Sequence, residues 1–236
     1  MDQYTWADPP SRTAFPVAAP GYPFIYAAAF ATAVFALLGM SIPAIAGLIA
    51  TICICLFFRD PDRAVPVDPA ALVAPADGRV VAAARVEANP YVDGPCMKVG
   101  IFMSVFNVHV NRSPFAGEVV GIRHYPGKFL NAGKDAASEN NERNATLVDI
   151  SGQRRIAVVQ IAGLIARRII TWVNQGETVS AGQRIGLICF GSRVDLYLPE
   201  DTQLTAKVGE KVKAGYSVIG RLPARKGSAP DPEAEV

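Results

Sequence analysis

The chain is short of the residues that usually betray a site. Two histidines and four cysteines in 236 residues are too few, and too irregularly spaced, for a zinc site or a disulfide framework. Cys53 and Cys55 fall in an apolar run, where cysteine acts as a small hydrophobe. No metal is expected, and a reducing compartment fits. Charge is also scarce: 19% of residues are charged, and the formal net charge is only +2. Without a Lys/Arg cluster there is no basic face for nucleic acid, and that class of partner is excluded.

The longest absence runs from Tyr22 to Phe58, which holds no charged residue at all. A soluble core helix seldom stays uncharged that long, and the run exceeds the roughly 20 residues that cross a bilayer once. Gly39-Met40-Ser41-Ile42-Pro43 interrupts it, because proline cannot continue a helix. The run therefore predicts a hydrophobic membrane hairpin over 22–58, spanning or buried in one leaflet. Arg59 and Arg63 follow at once. By the positive-inside tendency they place the next domain in the cytoplasm, under the inner membrane. They are candidates for lipid phosphate, with Asp60 and Asp62 as their partners. Residues 1–21, rich in Pro and Ala, are expected to be loose and carry no cleavable signal pattern. Residues 225–236 read as a disordered tail.

What fills the space between is β-structure. Short β-branched runs separated by Gly, Pro and Asp predict strands around Val73, 80–84, 97–102, 105–110, 118–122, 145–150, 155–162, 168–173, 184–190, 194–198 and 203–208. Absence of long helical periods between them argues for a mainly β, antiparallel, barrel- or sandwich-like domain over 59–224. Gly176-Glu177-Thr178-Val179-Ser180-Ala181-Gly182 and Gly209-Glu210-Lys211-Val212-Lys213-Ala214-Gly215 share the pattern G-E-x-V-x-A-G. Biotin and lipoyl carriers use similar turns; with no carrier lysine in a hairpin, the repeat is read as architecture.

Gly191-Ser192 lies between two apolar runs, Leu187-Ile188-Cys189-Phe190 and Val194-Asp195-Leu196-Tyr197-Leu198. Glycine permits a backbone there that a side chain would forbid. In such a turn a serine hydroxyl lies near the preceding carbonyl carbon, as an N-to-O acyl shift requires. The ester formed can eliminate across Cα and Cβ, and the resulting dehydroalanine hydrolyses to a pyruvoyl group, a ketone able to form a Schiff base with an amine. The shift needs a base, and histidine is poised for it near neutral pH. His109 sits in the apolar run 105–110, read as a strand; taken alone it is a core histidine. Asp77, in Pro-Ala-Asp-Gly, taken alone is a turn residue.

Phe-Gly-Ser-Arg-Val-Asp-Leu-Tyr-Leu-Pro, ending at Pro199, resembles the processing site of the phosphatidylserine decarboxylases in their short bacterial form. Phe57-Phe58-Arg59-Asp60-Pro61-Asp62-Arg63, Ala74-Pro75-Ala76-Asp77-Gly78, Val108-His109-Val110-Asn111-Arg112-Ser113-Pro114 and Tyr125-Pro126-Gly127-Lys128-Phe129 extend the match.

The resemblance implies self-cleavage between Gly191 and Ser192 and a covalent pyruvoyl cofactor made from Ser192. Asp77 and His109 match the family's self-cleavage residues, Asp77 fixing the imidazole tautomer. It also implies a phospholipid substrate decarboxylated to phosphatidylethanolamine, and a homodimer of large-plus-small-chain units. His124, Lys128 and Arg143 are candidates for the head group; Arg143 lies in a Glu-Arg-Asn motif of the family, within a polar loop over 133–144 beside the site. Two departures stand out: Phe106 replaces an extra histidine of longer members, and Arg193 replaces a common threonine. A lipid of the archaetidylserine type, a membrane-anchored serine hydrolase without the G-x-S-x-G elbow, and a carrier-like module without chemistry are the alternatives.

Overall fold

The computed structural model describes residues 4–11, 13, 15–133, 135–150, 154–164, 168–189 and 191–223. Strand β1 (Tyr4–Trp6) leads into a 3-10 turn at Ala19–Gly21 and the helices α1 (Tyr22–Leu37) and α2 (Ser41–Phe57). Then come β2 (Ala64–Pro66), β3 (Ala71–Val73), β4 (Gly78–Val86), β5 (Cys96–Met103), β6 (Val110–Arg112) and β7 (Gly117–Tyr125). After the short helix α3 (Asp135–Asn140) follow β8 (Arg143–Asp149), β9 (Arg155–Ile161), β10 (Ile169–Thr171), β11 (Thr178–Val179) and β12 (Arg184–Ile188). The chain closes with β13 (Ser192–Pro199), β14 (Gln203–Leu204), β15 (Lys211–Val212) and β16 (Val218–Arg221).

The hairpin forms as its composition dictates. Gly39 turns the chain with φ of +72°, a conformation cheap only for glycine, and Gly47 packs so closely on Thr32 that a Cβ would lie 2.5 Å from its hydroxyl. None of α1 is buried, and of α2 only Phe57 is. The stretch Ala19–Leu37 is long and apolar enough to cross a membrane; the second helix is shorter. At 1.5 Å per residue each helix is roughly 25 Å long, just under the roughly 30 Å of a hydrocarbon core.

The main sheet is antiparallel and curls, in the order β11-β7-β8-β9-β13-β5-β4-β15. Strand β13 lies inside it, paired with β5 from Ser192↔Met103 to Pro199↔Cys96 and with β9 from Arg193↔Ile161 to Tyr197↔Ala157. Alternation sends Val194, Leu196 and Leu198 into the main core with Val99, Ile101, Met103 and Val158. The other face of β13 carries Arg193, Asp195 and Tyr197, next to a smaller cluster with Tyr91, Ala157 and Ile161. A third cluster joins the hairpin to the domain: Phe57 and Phe58 pack with Val108, Val110, Leu187 and Cys189.

The G-E-x-V-x-A-G repeat marks a duplicated frame. Gly182 N–H donates to Ser113 O (2.8 Å) as Gly215 N–H does to Ala74 O (2.9 Å), and Val119 N–H donates to Glu177 O as Val80 N–H does to Glu210 O, both at 2.9 Å. Each turn thus clasps its own Pro-x-x-Gly-x-Val-Val strand start, at Pro75–Val81 and Pro114–Val120. Asp77 occupies in one copy the place that Ala116 holds in the other.

Three expectations are corrected. Residues 1–21 are not uniformly loose, since β1 pairs with β2 and Ala18 is buried. Asp8 explains part of this, lying 3.1 Å from Arg184 and 3.4 Å from Arg112. Residues 105–109 are a loop, not a strand: Asn107 Oδ1 accepts from the backbone N–H and the hydroxyl of Ser104 (2.9 and 2.8 Å), which closes a turn. The polar stretch 133–144 contains α3, and Ser138 is buried against Asp195. The tail expected to be disordered, 225–236, lies outside the described residues.

Candidate active site

Ser192 opens β13 and is wholly buried, its Oγ 3.4 Å from Met103 Sδ. Gly191 before it has φ of +70°, the left-handed conformation that the sequence anticipates. Its carbonyl is closely faced by backbone: a Cβ on Gly163 would lie 2.0 Å from Gly191 O. Gly163 escapes sequence reasoning altogether, because nothing local in Ala162-Gly163-Leu164 advertises it.

His109, also fully buried, presents Nε2 to the Gly191 N–H at 3.4 Å, while its Nδ1 lies 2.9 Å from Asn107 O. With Nδ1–H donating to that carbonyl, the Nε2 lone pair faces the Gly191 backbone. Burial pushes the imidazole pKa down to about 4, against the lesser pull of the Asn107 carbonyl, which keeps the ring neutral at physiological pH. The ring of Phe57 covers it at 4.2 Å between centroids. The last residue of the hairpin is therefore part of the wall of the site.

Asp77 does not orient His109, contrary to expectation. Its Oδ2 accepts from Arg63 at 2.9 Å and its Oδ1 from Ala214 N–H at 2.8 Å, and the Asn107 carbonyl takes the orienting role. Asp77 stands on the neighbouring strand start, where Gly78 approaches Phe102 O so closely that a Cβ would sit at 2.2 Å. Phe102 in turn faces Arg193. Asp77, Ser104 and Asn107 share a cavity of about 640 Å³.

The exit segment is also wired differently from expectation. Asp60 and Asp62 pair with Arg184 at 2.7 and 2.9 Å, not with Arg59 or Arg63. Arg59 donates to Leu56 O (2.5 Å) and Phe106 O (2.6 Å), tying the helix end to the loop of His109. Arg112, from the His-Val-Asn-Arg motif, is buried and donates to Gly182 O and Pro61 O (2.8 and 3.2 Å).

The three head-group candidates lie on β7, β8 and the segment between them, with Arg143 paired to Ile161, itself the partner of Arg193. His124 is exposed on β7, opposite Asn144, and Lys128 is exposed, bridging Asn141 through its backbone. Arg143 is committed: it donates to Tyr91 Oη (2.8 Å) and Glu139 O (2.8 Å) and lies over the Tyr125 ring. Behind Ser192, fully buried Arg193 holds Asp195 at 2.5 Å, and Lys98 reaches the same carboxylate at 3.0 Å. That arginine, a departure from the common threonine, is a structural counter-charge. Among the described residues no group of three or more His, Cys, Asp or Glu side chains could hold a metal ion.

Fold and site define a β-domain enzyme carried on an apolar hairpin, its buried serine held between a left-handed glycine and a long strand. Residues 50–220 match the family model of phosphatidylserine decarboxylase. The phosphatidylserine decarboxylase proenzyme of Desulfotalea psychrophila is 47% identical over 207 residues, 88% of this chain and 97% of the relative. Those of Syntrophotalea carbinolica and Burkholderia mallei are 50% and 44% identical, each covering 88% of this chain and 97% and 95% of the relative. The chain belongs to the phosphatidylserine decarboxylase family.

Proposed function

We propose that the protein cuts its own chain between Gly191 and Ser192 and then decarboxylates phosphatidylserine to phosphatidylethanolamine, from a hairpin seated in the inner membrane with the β-domain in the cytoplasm. The observation that carries the first half is the neutral His109, whose Nε2 lone pair meets the backbone of Gly191 beside buried Ser192. Ser192 Oγ attacks the Gly191 carbonyl carbon, and His109 Nε2 takes the hydroxyl proton. The C–N bond breaks, and the proton passes to the amine left on residue 192. Loss of the Ser192 α-proton expels the Gly191 carboxylate, and water then releases ammonia to leave the ketone.

The site fits such a group: Ser192 is buried against Met103, His109 is covered by Phe57, and the residue stands at the start of a strand hydrogen-bonded on both sides. When formed, the pyruvoyl group supplies a ketone that condenses with the substrate amine and takes up the electron pair released with CO2. The chain's own part is to hold the residue still and to move protons, with His109 Nε2 available to return one to the substrate carbon. The apolar hairpin supports delivery of a two-chain lipid, which leaves a bilayer poorly.

Intact mass of the purified protein and of Ser192→Ala tests the reading. Two fragments split at Gly191, the smaller with a pyruvoyl mass and a blocked amino terminus, are the expected result; one full-length chain in active preparations would overturn it. Co-expressing a two-chain form with His109→Ala separates the second proton transfer from the first: full turnover would leave His109 with cleavage alone.

A further inference from the structure

Two cavities meet at Phe106, whose side chain is 84% exposed. One, about 510 Å³, is a mostly apolar groove between Cys53, Ile54, Leu56 and Phe57 of α2 and the loop residue Val105, with Arg59 at its end tied to Leu56 O and Phe106 O. The other, about 640 Å³, runs from Asp77 and Asn107 to Lys211 and Lys213, with Phe106 again on its wall. Val105 is also the nearest atom contact that a Cβ on Gly191 would make, at 3.9 Å, and Phe102, on the wall of the polar cavity, pairs with Arg193. Each space thus has one wall residue next to the 191–193 segment, and the two share Phe106.

Their chemistry is complementary. Period-two alternation along β15 turns Val212 into the core and leaves Lys211 and Lys213 on the same outer face. Among the described residues neither ammonium makes an ion pair or a side-chain hydrogen bond, unlike Arg79, which donates to Gly209 O at 2.6 Å. The one carboxylate lining the cavity, Asp77, is already neutralised by Arg63 at 2.9 Å. A positively charged chamber thus adjoins, at Phe106, an apolar groove at the foot of the hairpin, where a membrane lipid would arrive.

We propose that the two cavities form one bipartite lipid site, in which Lys211 and Lys213 hold the phosphodiester and the groove beside α2 takes the glycerol end of the acyl chains, with Phe106 as the divider. The proposal rests on the decarboxylase reading and names the substrate contacts of that site in place of His124, Lys128 and Arg143. Charge complementarity and continuity of the groove with the hairpin commit the occupant to a phospholipid.

The test uses the full-length, self-processed protein in neutral-detergent micelles with a short-chain phosphatidylserine, comparing wild type, Lys211→Gln/Lys213→Gln and Lys207→Gln, the last outside the cavity. Two exposed charge contacts of ordinary strength together correspond to about tenfold in affinity. The double variant is expected to split normally by intact mass, raise KM about tenfold and keep kcat within about twofold, while Lys207→Gln leaves KM unchanged. An unchanged KM in the double variant, or an equal rise in Lys207→Gln, overturns the proposal; the second result would mean general surface attraction. Competitive inhibition of wild type by millimolar inorganic phosphate, with no rise in KM in the double variant, also overturns it by assigning the lysines to free phosphate. Failure of wild type to split or to release CO2 would instead remove the decarboxylase reading, so the two failures are distinguishable.

Discussion

Lowering the pH should stop self-cleavage far below the ordinary histidine range. Burial under Phe57 moves the His109 pKa from 6.5 to about 4; the gap corresponds to about 3 kcal/mol favouring the neutral ring. Between those values the unfolded chain binds a proton that the folded chain refuses. Stability is therefore complete above pH 6.5, falls as pH drops through the window, and has lost about 3 kcal/mol by pH 4. The cleavage rate follows the fraction of neutral Nε2, so it should stay flat from pH 8 to about 5 and reach half near pH 4. The assay is intact-mass quantification of precursor and products during cell-free synthesis buffered at each pH, with near-ultraviolet circular dichroism on Ser192→Ala to show that the fold persists. A midpoint near 6.5 with the fold intact would refute both the dry environment of His109 and its role as the base.

Gly163→Ala should block cleavage, because its Cβ would meet Gly191 O at 2.0 Å; Gly191→Ala, whose Cβ would meet only Val105 at an ordinary 3.9 Å and which has its +70° φ to sustain, should cost about 1–2 kcal/mol and merely slow it. Comparable cleavage in both, read by intact mass, would contradict that geometry. Arg63→Ala should cost about 2 kcal/mol in thermal unfolding by stranding Asp77, with Arg63→Lys recovering about half; identical melting would show the pair to be idle. In a Ser192→Ala background, Arg193→Met leaves Asp195 buried with Lys98 and Ser138 alone. It should cost about 3 kcal/mol and lower Tm by about 6–12 °C. Adding Asp195→Leu should restore much of the loss, and a double variant less stable than the single would refute the counter-charge account.

The antiparallel β-domain and the hairpin were legible because each rests on local signals: period-two apolar runs, a charge-free stretch, and a break at 39–43, though Gly39 makes the turn and Pro43 sits in the first turn of α2. So was the position of Ser192 at a strand start. The partners of the site were not legible, because they come from far along the chain. Arg63 reaches Asp77 from the membrane exit, Phe57 covers His109 from the end of α2, and Gly163 meets Gly191 from beyond β9. The run 105–110 misled for the opposite reason. Its β-branched composition says strand, yet a single side chain, Asn107, folds back on Ser104 and makes a turn of it. The short strands β1, β2 and β15 carry too few residues to show a period of their own; pairing with neighbours creates them.

The duplicated frame bears on what the proposed cut would do to the molecule. One copy, with its turn at 176–182 clasping the strand start at 114–120, lies wholly before Gly191. The other is divided: its strand start at 75–81 precedes the cut, and its turn at 209–215 follows it. The fragment beginning at residue 192 is therefore threaded through its parent, β13 between β5 and β9, β15 along β4 and β16 along β3. Severing one peptide bond frees a chain end without freeing a subunit. The small chain would keep these pairings with its parent, so topology would impose the order of events: the β-domain would have to form before the chain could be divided.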